Sequence, residues 1–397
     1  MNIDYFNYLY DLKGISIGSY IKGLELMTAL ENRGHIVNKH WRLEKEPVPD
    51  NEKNVRPVRT AAKNYLHRYL HEANQIVKNA RFYREEKQII KHDQPDLLIA
   101  RLESYLFSPR IIRKKYNIPF IAEADSPVVY ELDNFGPRYV RLPGVAEKLQ
   151  TSFINSADAA FCVSSTMKKY FVACGVPEHH IRVITNGADL SRFNPDISSA
   201  EVVKKYGLEN KTVIGFVGSF HFWHGVDQLI GLIKSVVSIN SDTVFLLVGS
   251  GGPMHDELKK FSRSQGLENR IFLTGYVEHN MVPSYISAMD IVLAPYPRLD
   301  FFYYSPVKIF EYMACGKAVI TSRTGQIAEV ITSGTDGILC TPGSISELTA
   351  AVKELAGNAQ KIRRLGSAAY AKIEKHYSWD RKAAELEQLC EAVMRRK

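Results

Sequence analysis

A chain of 397 residues is too long for one ordinary domain and suits two of nearly equal size. With 45% hydrophobic and 24% charged residues it has the composition of a soluble globular protein, and no apolar run is long enough to cross a bilayer. A formal net charge of +8 invites an anionic partner, but no helix-turn-helix, zinc-finger or RNA-binding signature accompanies it, which argues against nucleic acid. Met1-Asn-Ile-Asp-Tyr-Phe has no basic region followed by an apolar stretch, so no signal peptide is expected. The five cysteines are widely spaced without a Cys-x-x-Cys, and Cys162 and Cys315 lie in apolar segments, so a reducing, cytoplasmic compartment is expected.

In chain order, a first strand spans Asn2–Leu9 and leads into a loop, 12–19, that contains Lys13, Gly14, Gly18 and Ser19. Tyr20–Arg33 has a helical period and stops at Gly34. Lys53–Lys91 is rich in basic residues, including Arg56, Arg59, Lys63, Arg68, Lys78, Arg81, Arg84 and Lys87, over an apolar helical stripe of Leu66, Tyr69, Leu70, Ala73, Ile76 and Val77. Such a helix either docks on an anionic membrane surface or packs on its own domain as an ordinary solvated helix. Buried strands follow at Leu97–Ala100, Phe120–Ala122, Ala157–Val163 and Ile181–Ile184, with a helix from Ser165 to Cys174. The turn Asn186-Gly187 and the stretch Ala188–Pro195 read as a linker. A second alternating set has strands at Thr212–Val217, Val244–Val248, Ile271–Leu273, Ile291–Ala294 and Ala318–Thr321, and Trp379–Arg396 is a closing helix. The alternation predicts an α/β protein with parallel sheets: two Rossmann-like domains, 1–190 and 196–375, and a trailing helix over 376–397.

The most informative stretch is Ser305-Pro-Val-Lys-Ile-Phe-Glu-Tyr-Met-Ala-Cys-Gly-Lys-Ala-Val-Ile320. Ile309, Phe310, Met313 and Ala314 share one helical face, Ser305-Pro306 start the helix, Gly316 ends it, and Ala318–Thr321 is a buried strand. This layout suits an anion at the helix end and a hydroxylated group beside Glu311, both of which a nucleotide-sugar offers. Taken alone, it is equally an ordinary helix–strand unit with Glu311 on the surface.

The segment resembles the donor-binding signature of the retaining glycosyltransferases of family 4, which have the GT-B fold of two Rossmann-like domains facing across a cleft, the last helix crossing back to the first domain. That family carries two glutamates with seven residues between them; Glu311 matches the second, while Tyr303 stands at the first. Val163-Ser-Ser-Thr-Met-Lys-Lys-Tyr170 and Ile181-Arg-Val-Ile-Thr-Asn-Gly-Ala-Asp-Leu-Ser-Arg-Phe193 resemble the family's crossover region. In Gly218-Ser-Phe-His-Phe-Trp-His-Gly225, the family's diphosphate-holding Arg and Lys are replaced by Ser219 and His224. The resemblance implies that His224, and more weakly His221, take a donor role, with a positive charge that depends on pH; core or capping histidines are the alternative. Val248-Gly-Ser-Gly-Gly-Pro253 matches a family turn where backbone at Gly251 approaches the donor, and Tyr276 and Val277 are implied at the nucleobase. Ser305 and the N–H groups of Val307 and Lys308 would meet phosphate, and the Lys308 side chain either adds charge there or lies on the helix surface. Asp300, in the aromatic loop Pro295–Pro306, is the candidate stand-in for the missing first glutamate.

On the acceptor side, Lys13, Gly18, Arg101, Glu103, Glu123 and Asp125 close a loop or the carboxyl ends of strands, Gly18 toward the donor. These acids either position the acceptor hydroxyl or cap the following loop. The expectation is therefore a retaining, metal-independent transferase. It would use a nucleotide-sugar as substrate, with no cofactor and a glycan or lipid-linked acceptor, and work in the cytoplasm or at the cytoplasmic face of the inner membrane. Glu311, His224, Asp300 and Asp125 are placed nearest the chemistry. A nucleotide-sugar epimerase and a non-catalytic nucleotide-sugar- or glycan-binding protein are the alternatives.

Overall fold

Runs of apolar residues that are buried on both faces make parallel strands, and the chain has many of them. A computed structural model describes residues 1–8, 17–41, 61–134, 142–237, 242–252 and 254–396, with backbone alone at 17, 61–71 and 133. The chain forms two compact units, Met1–Thr185 with Lys382–Lys397, and Asn186–Arg381.

The first unit alternates β1 (Asn2–Asn7), α1 (Ile17–Asn32), β2 (Ile36–Trp41), α2 (Ala61–Asp93), β3 (Leu97–Arg101), α3 (Ser108–Tyr116) and β4 (Phe120–Glu123). It continues through α4 (Val128–Asn134), α5 (Pro143–Ser156), β5 (Ala159–Cys162), α6 (Ser165–Ala173) and β6 (Ile181–Val183). Its six strands pair in the order β2-β1-β3-β4-β5-β6, all in parallel. Every residue of β3 and β4 is buried. Helix α1 starts at Ile17, so Gly18 sits in its first turn rather than in the expected loop; a Cβ there would meet nothing. Lys13 and Gly14 lie outside the described residues.

The second unit runs α7 (Ala200–Tyr206), β7 (Thr212–Val217), α8 (Val226–Val237), β8 (Thr243–Val248), α9 (Met254–Ser264), β9 (Ile271–Leu273), α10 (Val282–Ser287) and β10 (Ile291–Ala294). It continues with α11 (Val307–Ala314), β11 (Ala318–Ser322), α12 (Ile327–Val330), β12 (Ile338–Cys340), α13 (Ile345–Ala356) and α14 (Ala359–His376). The sheet order is β12-β11-β10-β7-β8-β9. The chain steps outward from β7 to β8 and β9, then returns to place β10 on the other side of β7. That reversal opens a crevice at the carboxyl ends of β7 and β10, where open α/β sheets bind ligands. The stretch read as a linker packs within this unit: Ala188 N–H donates to the Tyr377 carbonyl at 2.9 Å, and Phe193 is buried in the core. Helix α15 (Trp379–Met394) contributes its residues from Lys382 onward to the first unit, where Glu387 accepts from Arg33 at 2.7 Å and pairs with His35 at 2.8 Å.

Candidate functional site

The carboxyl end of β7 continues into a tight turn. Gly218 has φ +146°, and a Cβ on it would lie 2.5 Å from Lys308 Nζ. Gly225, which closes the short 3-10 turn Phe222–His224, has φ +70°, and a Cβ there would collide with the Pro295 carbonyl at the end of β10. Both positions need glycine, for conformation and for space. The turn thus lies across the carboxyl ends of the two strands that flank the crevice.

Helix α11 is locked beside β7 by the Tyr312 hydroxyl, which accepts from Val217 N–H at 2.6 Å. Ile309 to Ala314 are all buried, and no side chain caps the first turn, so the N–H groups of Val307 and Lys308 carry the helix's partial positive charge. Ser305, ahead of that turn, is held by Asn186, whose Nδ2 donates to the Ser305 carbonyl at 2.5 Å. The Lys308 ammonium is buried with no hydrogen bond among the described residues and lies 4.5 Å from the centre of the Phe216 ring. Desolvation pulls its pKa down to about 7, partly offset by the Glu311 carboxylate. Glu311 is itself only 7% exposed and accepts from His279 Nε2 at 2.9 Å.

The expected pH-dependent charge at His224 and His221 is corrected. His224 Nδ1 donates to the Ser219 carbonyl at 2.8 Å, and burial, with the nearby Lys308 charge, pushes its pKa down to about 3. His221 stacks on Trp223 with ring centres 4.2 Å apart, sits 3.0 Å from Ser219 Oγ through Nδ1, and is also lowered by desolvation. Both rings are therefore pushed toward the neutral form, and the Lys308 amino group lies against Gly218 of the same turn. Asp300 is exposed, with no hydrogen bond among the described residues. Phe302 and Tyr303 of the same loop face the core. Gly251 has φ +73° with open space where a Cβ would go, Tyr276 is 51% exposed, and Val277 packs half-buried on the core.

In the first unit, Glu123 and Asp125 lie at the end of β4 among buried partners. Lys22, from α1, bonds Glu123 Oε1 and, at 2.8 Å, Asp125 Oδ1. The Tyr5 hydroxyl donates to Glu123 Oε2 at 2.7 Å, Asn7 Nδ2 donates to Tyr5 at 2.8 Å, and Arg101 Nε lies 3.6 Å from Asp125. Burial would raise Asp125, but Lys22 and Arg101 outweigh it and hold it low; burial and Asp125 raise Glu123. Glu103 accepts from the Ser104 N–H at 2.8 Å, outside this cluster's hydrogen bonds. Lys22 and His279 went unanticipated, because each meets its acid only through the fold. Asp4, His40 and Asp93 are the described residues grouped closely enough for a metal ion, at ion-pair distances of 3.2 and 3.5 Å from His40.

Two family profiles match: "Glycosyltransferase Family 4" over residues 24–192 and "Glycosyl transferases group 1" over residues 211–358. The chain belongs to glycosyltransferase family 4. Similar curated relatives include an alpha-D-kanosaminyltransferase of Streptomyces kanamyceticus, 27% identical over 42% of this chain and 42% of the relative. Another is the lipopolysaccharide core mannosyltransferase LpsB of Rhizobium meliloti, 24% identical over 54% of this chain and 61% of the relative. The chain thus spans less than two thirds of the length of these relatives. Among solved structures, sucrose-phosphate synthase of Thermosynechococcus elongatus superposes with TM-score 0.75 at 18% identity, covering 100% of both chains. Anabaena HepE in complex with UDP-glucose gives TM-score 0.71 at 20% identity, covering 99% of this chain and 100% of that one. These likenesses establish the GT-B fold for this family member.

Proposed function

We propose that the protein transfers a sugar from a nucleotide-sugar to an acceptor hydroxyl, with retention at the anomeric carbon. The observation that carries this is Lys308, whose buried ammonium has no hydrogen-bond partner among the described residues. Leaving an ion buried without a partner is costly, and a donor diphosphate would supply the missing charge. It would lie at the crevice beside Gly218, where the uncapped N–H groups of α11 add further donors. Glu311, one turn further in, would hold the ribose hydroxyls.

In the transfer, the bond from the anomeric carbon to the diphosphate oxygen breaks and a bond to the acceptor oxygen forms on the same face. The acceptor proton passes to the leaving diphosphate, whose growing charge Lys308 and the N–H groups stabilise. No Asp-x-Asp occurs in the sequence, so the reading routes charge neutralisation through protein groups. HepE is described with UDP-glucose bound, and several relatives are mannosyltransferases, so UDP-glucose and GDP-mannose are the first donors to test.

A glycan or lipid-linked acceptor fits the first unit's basic helix α2, which exposes Ile76 and Val77 beside Arg81 and Arg84. Arg56 and Arg59 lie outside the described residues, as do the side chains of Lys63 and Arg68. No described helix is long and apolar enough to cross a membrane. Cosedimentation with liposomes that rises with anionic lipid and falls with salt would support peripheral docking at the cytoplasmic face of the membrane.

The neutral His224 and the exposed Asp300 favour one second reading, a nucleotide-sugar-binding protein without turnover. Calorimetry with UDP and GDP, followed by donor-hydrolysis assays, separates the two. Binding with turnover is expected; binding without turnover selects the second reading, and no binding to either nucleotide sinks both.

A further inference from the structure

Glu311 is not a free carboxylate. Its Oε1 is engaged by His279 Nε2 at 2.9 Å, and on the other side of the same ring Nδ1 lies 3.0 Å from Arg192 Nη2. A guanidinium can only donate, so His279 Nδ1 must be the acceptor and carry no proton. The single proton of the neutral imidazole is then on Nε2, pointing at Glu311. The tautomer follows from the partners.

The ring is also fixed from the side. Phe193, buried in the core, meets it with ring centres 5.6 Å apart, and Arg192 reaches the His279 carbonyl at 3.4 Å. Arg192 and Phe193 are placed by backbone bonds to the Asp189 carbonyl, at 3.1 and 2.8 Å. A loop after β9, a turn before α7 and a buried helix thus converge on one carboxylate.

We propose that His279, held in one tautomer by Arg192, is a positioning residue that presents the second oxygen of Glu311 to the donor's ribose hydroxyls. This rests on the donor-site reading above. With Oε1 engaged, the carboxylate plane is set and Oε2, which makes no hydrogen bond among the described residues, is left for the ligand. Without the ring, Glu311 would rotate among rotamers, and ordering it again would weaken binding of the ribose alone.

The test uses the full chain and four probes, UDP and GDP with their 2′,3′-dideoxy analogues, by calorimetry. Wild type should bind the better ribonucleotide about tenfold more tightly than its dideoxy form, as expected for hydrogen bonds to a charged group. His279→Phe should erase most of that ratio while leaving affinity for the dideoxy form nearly unchanged. His279→Gln should restore it, because one amide offers an acceptor toward Arg192 and a donor toward Glu311. A double cycle with Glu311→Gln should be non-additive, since His279 acts through that carboxylate. If wild type binds both forms equally, the ribose role of Glu311 fails and the proposal falls with it. If wild type discriminates and His279→Phe discriminates equally well, the positioning role alone is overturned. Equal weakening of ribo and dideoxy forms in His279→Phe assigns the residue to structure and also overturns the proposal.

Discussion

The two units bury charge in opposite ways. In the first, Lys22, Arg101, Glu123 and Asp125 lie together at the strand ends, each sign facing the other; Lys22 and Tyr5 bond the acids, Asn7 bonds Tyr5, and Arg101 Nε stands at ion-pair distance without a hydrogen bond among the described residues. In the second, Lys308 is buried against a phenylalanine ring with its ammonium unbonded among the described residues. Opposite charges that meet inside one unit balance each other, whereas a buried ammonium with no carboxylate bonded to it fits a ligand that brings the opposite charge. The acids considered for acceptor chemistry thus already have partners of opposite charge in their own unit, and Lys308 has no hydrogen bond among the described residues.

The largest effect that would break this contrast comes from removing one cation from each place. Lys22→Met takes the bonded ammonium from two buried carboxylates and should cost about 3–5 kcal/mol of stability. Lys308→Met removes an ion that has no partner to strand, so the unliganded protein should be as stable as wild type or more so. Thermal unfolding of the two variants beside wild type decides it. Equal destabilisation by both would mean that Lys308 has a structural partner and that the contrast is false.

Glu311→Gln sharpens the donor side. The fold tolerates an amide at this position, while the hydrogen bonds from ribose to a charged acceptor are lost, an expected cost of about 1.5–3 kcal/mol in nucleotide binding. Calorimetry with UDP and GDP measures it, and unchanged affinity would reject the ribose assignment.

The sequence made the inner strands legible because they are apolar on both faces, as in β3, β7 and β8. It hid β2, Ile-Val-Asn-Lys-His-Trp, because an edge strand tolerates polar, half-buried side chains and so loses the pattern. Helix α11 was readable from its periodicity and its glycine stop, Gly316 at φ +65°. Lys22 was not, since its acids lie 101 and 103 positions away. His279 was equally hidden, 32 positions from Glu311, and no local pattern marks a histidine in a turn as a neighbour of that carboxylate. The charge of His224 was misread for a related reason: spacing placed the ring in the right turn, but its protonation depends on burial and on Lys308, which the fold brings from α11. Asp300 stays exposed in its loop while Phe302 and Tyr303 are buried, an alternation of outward and inward side chains that the aromatic run does not reveal.

The smallest effect concerns which residue carries the pH dependence of donor binding. Burial holds Lys308 at about 7 in the unliganded fold, against about 10.4 for an ordinary lysine. Between those values the unfolded chain binds a proton that the folded chain lacks, so stability without ligand should rise with pH across that window. A bound diphosphate reverses the preference by favouring the ammonium. Affinity for UDP-glucose, whose diphosphate has no ionisation near neutrality, should therefore be full below pH 7 and fall as pH rises, by about fivefold from pH 7 to pH 8. Lys308→Met should bind more weakly and show no such fall. His224, held neutral with a pKa of about 3, has no charge to lose in that range. His224→Gln should accordingly keep the same descending limb as wild type. A limb that survives in Lys308→Met and vanishes in His224→Gln would return the cation to the histidine and undo the assignment of Lys308 to the donor diphosphate.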